Sequence, residues 1–231
     1  MAGMSAPLTL VIANKNYSSW SMRPWVLMRA LEIPFQERQV KFESDDWRAH
    51  IGTLSPSRLV PVLWEGAPGE GFATWDTLAI TERLHELHPG RGVWPAEPRA
   101  RARARSLAAE MHSGFRALRA AMPMNIRGRY PGKGMSVEVA KDIARIGALW
   151  QATRAEFGRG APYLFGAFCA ADAFYAPVAT RFVTYGVELS GAARELQQAL
   201  LAAPAVAAWS AAALKETEFV AADEPYASAP R

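Results

Sequence analysis

Apolar residues first appear as a solid block and then settle into two alternating rhythms. Leu8-Thr-Leu-Val-Ile-Ala13 is short, apolar and β-rich, and predicts a buried strand. Between 21 and 32, Trp25, Leu27, Met28 and Leu31 supply the apolar positions of a helix. Pro24 belongs in a first helical turn, where its missing N–H is not needed, so that helix starts near Ser19–Ser21. Gln36–Phe42 alternates as a second strand, and Ser44 with Asp45 and Asp46 caps a short helix. A strand-like run follows Pro61. Gly66, Pro68, Gly69 and Gly71 mark a hairpin turn, and Phe72–Trp75 is the returning strand. Asp76-Thr77 then caps a helix reaching about His88, with Leu78, Ile80, Leu84 and Leu87 apolar. The order βαβ, short helix, ββα is that of a compact α/β unit.

The rhythm changes after Pro89. Residues 89–98 hold three prolines and two glycines and read as a linker. Beyond it only helical patterns occur, over about 99–121, 136–157, 170–185, 192–202 and 204–217. The expected organisation is therefore an α/β domain over 1–88, a linker over 89–98 and an all-helical domain over 99–231. Asp223–Arg231, with two prolines, reads as a loose tail.

Composition narrows the function. The 231 residues are half hydrophobic and 21% charged, as in an ordinary globular chain. A net charge of +4 suits small anionic ligands, and no zinc spacing or nucleic-acid module points to nucleic acid. Cys169 is the sole cysteine, which excludes an internal disulfide and fits a reducing, cytoplasmic setting. No signal peptide and no apolar stretch of membrane-spanning length is read. His85 and His88 are three apart on a helix, but a helix C-terminus favours histidine without any metal. No metal is expected.

Three short segments carry candidate chemistry. Ser18, Ser19 and Ser21 crowd a strand-to-helix junction, where unpaired N–H groups and the helix dipole favour an anion. Capping accounts for one such serine; three in four residues leave capping and ligand contact both open. No Gly-x-Ser-x-Gly elbow surrounds them, so a serine nucleophile is not indicated. Val60-Pro61 is either a plain strand opening or a cis peptide turning the Val60 backbone toward a ligand. Asp76-Thr77 is either a capping pair or a grip, with Thr77 holding a carboxylate and Asp76 an ammonium group.

Taken together, Ser18-Ser19-Trp20-Ser21-x-Arg23, Ser55-Pro56…Val60-Pro61, Asp76-Thr77-x-Ala79-Ile80 and Cys169-Ala170-Ala171-Asp172 resemble the glutathione transferases over nearly the whole chain. The likeness is to bacterial, serine-type members with a zeta-like first turn. It implies a thioredoxin-like α/β domain followed by an all-α helical bundle. It also implies glutathione as co-substrate, with Ser18 stabilising its thiolate. Ser19, Arg58, Val60 and a cis Pro61, Asp76 and Thr77 would hold the tripeptide, with Trp47 or His50 as alternatives to Arg58 at its glycine end. A free thiol has a pKa of about 8.5, so a hydroxyl donor and a helix N-terminus make the sulfur nucleophilic. Tyr17 is a rival donor.

The electrophile pocket is expected between the domains, lined by Trp20, Met111, His112, Phe115 and Met124, with Met122 a further candidate. Arg127, Arg129 and Tyr130 are candidates for an acidic group on the second substrate. Trp20 stands where zeta-like members have cysteine, which weakens transfer of their isomerase activity and disfavours thiol exchange. In the Cys169 segment a thiol replaces the usual cap hydroxyl. A thiol accepts weakly, so Asp172 must carry more of that turn. The resemblance implies a homodimer that conjugates glutathione to a small electrophile in detoxification. A glutathione-dependent isomerase or peroxidase, and a non-catalytic ligand-binding or interaction protein, are the alternatives. An arginine-rich pocket would favour the isomerase.

Overall fold

The computed structural model describes residues 7–227. Strand β1 (Leu8–Ile12) leads into helix α1 (Ser19–Ala30) and strand β2 (Gln36–Gln39). Helix α2 (Asp45–Leu54), strands β3 (Val62–Glu65) and β4 (Phe72–Trp75) and helix α3 (Thr77–Leu87) complete the first half. The sheet order is β2-β1-β3-β4, with β1 parallel to β2 and both remaining pairs antiparallel. Strand β1 shows why its run has no polar face. Leu8, Leu10 and Ile12 enter the main core, while Val11 packs on the other side with Val62, Trp64 and Leu54.

The helical half contains α4 (Pro98–Ser113), α5 (Arg116–Ala121), α6 (Val137–Phe157), α7 (Ala170–Tyr185), α8 (Gly191–Ala202) and α9 (Pro204–Ala213). Helix α7 is buried along almost its whole length, and its alanines let α1 approach closely. The main core runs without a break from the sheet through α1 and α7 to α9.

Three expectations are corrected. The helix expected over 99–121 is broken: Gly114 ends α4, and Phe115 takes a left-handed conformation at φ 54° to start α5. Helix α9 stops at Ala213 rather than near 217. The described part of the tail is not loose. A 3-10 helix spans Ala221–Asp223, and the buried Glu224 accepts hydrogen bonds from the Tyr17 hydroxyl at 2.8 Å and the Tyr130 hydroxyl at 2.7 Å. Upstream, the Glu216 carboxylate accepts from the Lys15 and Asn16 N–H groups at 2.8 and 3.0 Å. Tail acids thus fasten the loop between β1 and α1. Ser228–Arg231 lie outside the described residues.

Candidate functional site

Strand β1 ends in a turn that aims the N-terminus of α1 along the sheet edge. Ser18 is the N-cap: its Oγ accepts from the Ser21 N–H at 3.3 Å and donates to the Ser21 Oγ at 2.7 Å. Ser21 Oγ in turn accepts from the Ala13 N–H at 3.2 Å. Ser19 Oγ accepts from Arg181 at 3.1 Å. All three hydroxyls are thus engaged within the protein. Helix α1 starts at Ser19, which leaves Pro24 just beyond the first turn, so the Trp20 carbonyl lacks its usual helical N–H.

Three segments converge on one cavity of about 520 Å³. It is lined by Trp20 from α1, Ser57, Leu59, Val60 and Pro61 from the segment before β3, and Trp75, Asp76 and Thr77 at the β4–α3 junction. The Val60–Pro61 bond is cis, and Val60 lies outside the β3 ladder, which begins at Val62. Asp76 caps α3, accepting from the Leu78 N–H at 2.8 Å. Its φ of 71° is costly for a residue with a side chain, about 1–3 kcal/mol, and such strain concentrates at ligand clamps.

The helical half reaches this cavity through His112 of α4. Its Nε2 lies 3.2 Å from an Asp76 carboxylate oxygen, and its Nδ1 lies 3.4 Å from the Thr77 hydroxyl. A neutral imidazole with its proton on Nε2 leaves Nδ1 free to accept from the Thr77 hydroxyl and sets the N–H edge beside the Asp76 carboxylate. Burial holds the imidazole below its ordinary pKa, helped by Arg23 and Arg119, while Asp76 pulls it upward. Trp20 meets the His112 ring edge-on, with centroids 5.1 Å apart.

Of the residues expected at the site, Trp20, Val60, Pro61, Asp76 and Thr77 share this cavity, and His112 stands behind it. Ser18 and Ser19 are buried beside it without lining it, and Arg58 is exposed with φ 58°. His50 is bound to Asp46 at 2.9 Å, and Trp47 packs on Phe42. Met111, Phe115, Met122 and Met124 are core residues rather than pocket walls, because the buried seam of α4, α5 and α7 takes them. Tyr17 is turned into the tail by its bonds to Glu224 and to the Glu218 carbonyl. Arg127 donates to the Tyr17 hydroxyl at 2.9 Å and to the Glu216 and Glu218 carbonyls. Arg129 turns back on the Ile126 and Gly128 carbonyls. A larger cavity of about 700 Å³ between α1 and α9, lined in part by Trp25, Arg29 and Phe168, touches none of the expected residues.

Sequence reasoning missed the role of Arg23, Arg119 and Arg181 around Trp20. The guanidinium of Arg23 lies 4.1 Å from the Trp20 ring and that of Arg119 4.5 Å from it. A signal existed: Arg23 interrupts the run Met22–Met28 and Arg181 the run Ala173–Phe182, both otherwise without charge.

Residues 17–87 match the model of the glutathione S-transferase N-terminal domain. No curated protein matches the chain by sequence. Among solved structures, a glutathione transferase homologue from Burkholderia GL BGR1 with bound glutathione is 22% identical, with a TM-score of 0.68, over 91% of this chain and 100% of its own. A maleylacetoacetate isomerase from Anaeromyxobacter dehalogenans 2CP-1, also with bound glutathione, is 22% identical, with a TM-score of 0.62, over 89% and 96%. The apo human glutathione-S-transferase T1-1 is 20% identical, with a TM-score of 0.61, over 94% of each chain. Residues 17–87 are thus a glutathione S-transferase N-terminal domain, and the chain as a whole has the fold of the glutathione transferases.

Proposed function

We propose that the chain binds glutathione in the cavity of Trp20, Val60, Pro61, Asp76 and Thr77 and directs its thiolate onto a small electrophile. The observation that carries this reading is the convergence of those five residues, from three separate segments, on one cavity. Asp76 takes the γ-glutamyl ammonium group. The Thr77 N–H, at the start of α3, takes the adjoining carboxylate. The Val60 backbone pairs with the cysteinyl residue, and the exposed Arg58 meets the glycine carboxylate. The Ser18 hydroxyl turns from Ser21 to donate to the sulfur, and the α1 N-terminus adds its dipole. In conjugation the sulfur's electron pair forms the bond to carbon, the leaving group departs with its own pair, and the thiol proton passes to solvent. A cytoplasmic homodimer engaged in detoxification belongs to the same reading.

A second reading, isomerisation with glutathione, is favoured by the arginines around Trp20. Calorimetry with glutathione comes first. Binding in the millimolar range or tighter, weakened by Asp76→Ala, supports both catalytic readings; no binding overturns both in favour of a non-catalytic protein. Turnover of a neutral aryl halide against a cis-dienone then separates conjugation from isomerisation.

A further inference from the structure

Three guanidinium groups crowd the junction of α1, α5 and α7 near Trp20. Arg23 is 1% exposed, and neither its Nε nor its Nη1 has a hydrogen-bond partner among the described residues. Arg181, 4% exposed, donates from Nε to the Met122 carbonyl at 2.9 Å and from Nη2 to Ser19, but its Nη1 is also without a partner. Arg119, half-buried on α5, donates to the His112 carbonyl at 2.9 Å. Among the described residues none of the three is within ion-pair distance of a carboxylate.

Aromatic faces cover part of this charge. Trp20 flanks Arg23 and Arg119, and Phe174 lies 4.9 Å from the Arg23 guanidinium. Such contacts recover only part of what it costs to strip an ion of its water. Burial, followed by repulsion from Arg119 and Arg181, presses Arg23 well below the ordinary arginine range. Arginine nevertheless keeps its proton in proteins, so the charge persists. Asp76 is the acid whose field reaches Arg23, and it is already bound to His112 and to the Leu78 N–H. Asp223 is the acid whose field reaches Arg181, so three cations face two carboxylates, of which Asp76 alone lines the cavity.

We infer that Arg119, backed by the buried charges of Arg23 and Arg181, forms an anion-binding end of the second-substrate site beside Trp20, and that this substrate carries a carboxylate. Guanidinium forks match a carboxylate in two parallel hydrogen bonds, and Arg119 is the most accessible of the three. The inference rests on the glutathione reading through Trp20, which belongs both to the cavity and to the arginine group.

The test uses the full chain saturated with S-methylglutathione, which fills the tripeptide site without reacting. Calorimetry with 4-nitrobenzoate and 4-nitrobenzamide compares an anion with its neutral counterpart. The carboxylate is expected to bind roughly tenfold tighter or more, a preference that shrinks with added salt. Arg119→Gln should erase most of the preference, and Arg119→Lys should keep part of it, with glutathione affinity intact in both. Equal binding of the two probes to the unaltered protein overturns the inference while leaving the glutathione reading in place. So does competition of nitrobenzoate with glutathione, because the arginines would then serve the tripeptide's own carboxylate. Failure to bind S-methylglutathione sinks the glutathione reading itself, and the inference with it. Because Arg23→Gln removes a buried side chain from the core of α1, the decision rests on the Arg119 variants.

Discussion

His112 Nε2 sits 3.2 Å from the Asp76 carboxylate, so a helix of the second half sets the orientation of an acid at the edge of the first. The same ring meets Thr77, and one imidazole braces both members of the expected γ-glutamyl grip. Replacing His112 with alanine should weaken glutathione binding by roughly three- to tenfold, the worth of about one hydrogen bond. Asp76→Ala, which removes a charged partner, should cost roughly ten- to a hundredfold. Calorimetric affinities that rank the two variants the other way would place His112, and not Asp76, in direct contact with the ligand.

Ser18 is asked to do two things, and paired variants separate them. Ser18→Ala loses the cap of α1, at about 1 kcal/mol of stability. It should also cut turnover of an aryl halide by roughly ten- to a hundredfold, with glutathione affinity within about threefold. Ser21→Ala removes the acceptor of the Ser18 proton and of the Ala13 N–H, and should lose stability while retaining most turnover. If Ser18→Ala turns over as fast as the unaltered chain, Ser18 is a cap and nothing more.

Glu224 is buried and shared by two tyrosine hydroxyls. Glu224→Ala should cost about 1–3 kcal/mol in urea unfolding, since a buried acceptor disappears from both bonds. Amide exchange should quicken across residues 216–227 first. Unfolding at the original midpoint would mean that the tail contributes no stability.

Asp172 stands at the start of α7, where its two oxygens accept from the Leu164 and Cys169 N–H groups at 3.0 Å each. It carries the turn that the Cys169 thiol caps only weakly. Burial pushes its carboxyl up to about 6, against about 3.9 in an unfolded chain. Between those values the folded state holds a proton that the unfolded state has released. Its contribution to stability is therefore full below about pH 4 and is lost as pH rises through 6. The stability gap between the unaltered chain and Asp172→Asn should narrow from pH 4 to pH 7 in urea titrations. A gap that widens with pH would show that the two N–H donors keep the carboxylate ionised.

The strands, the capped helices and the Asp76-Thr77 pair were legible because each is written in a few adjacent residues. Period-two alternation and N-cap chemistry act locally, so the sequence carries them on its face. The arginine group was not legible, since residues 23, 119 and 181 meet only once α1, α5 and α7 have packed. Met111, Phe115 and Met124 misled for the opposite reason. Apolar side chains at helical spacing look alike whether they line a pocket or fill a seam, and here α7 claims them. Gly114 marked the break after α4, but the left-handed Phe115 that completes it has no local signature.

The tail fastening sets an order on biosynthesis. Lys15 and Asn16 leave the ribosome about two hundred residues before Glu216, the acceptor of their N–H groups. A nascent chain can pair its strands and wind its early helices, but the loop ahead of α1 acquires its final bonds only once Glu216 has been made. A nonsense codon just beyond Ala213 would spare every long helix and still leave that loop undone.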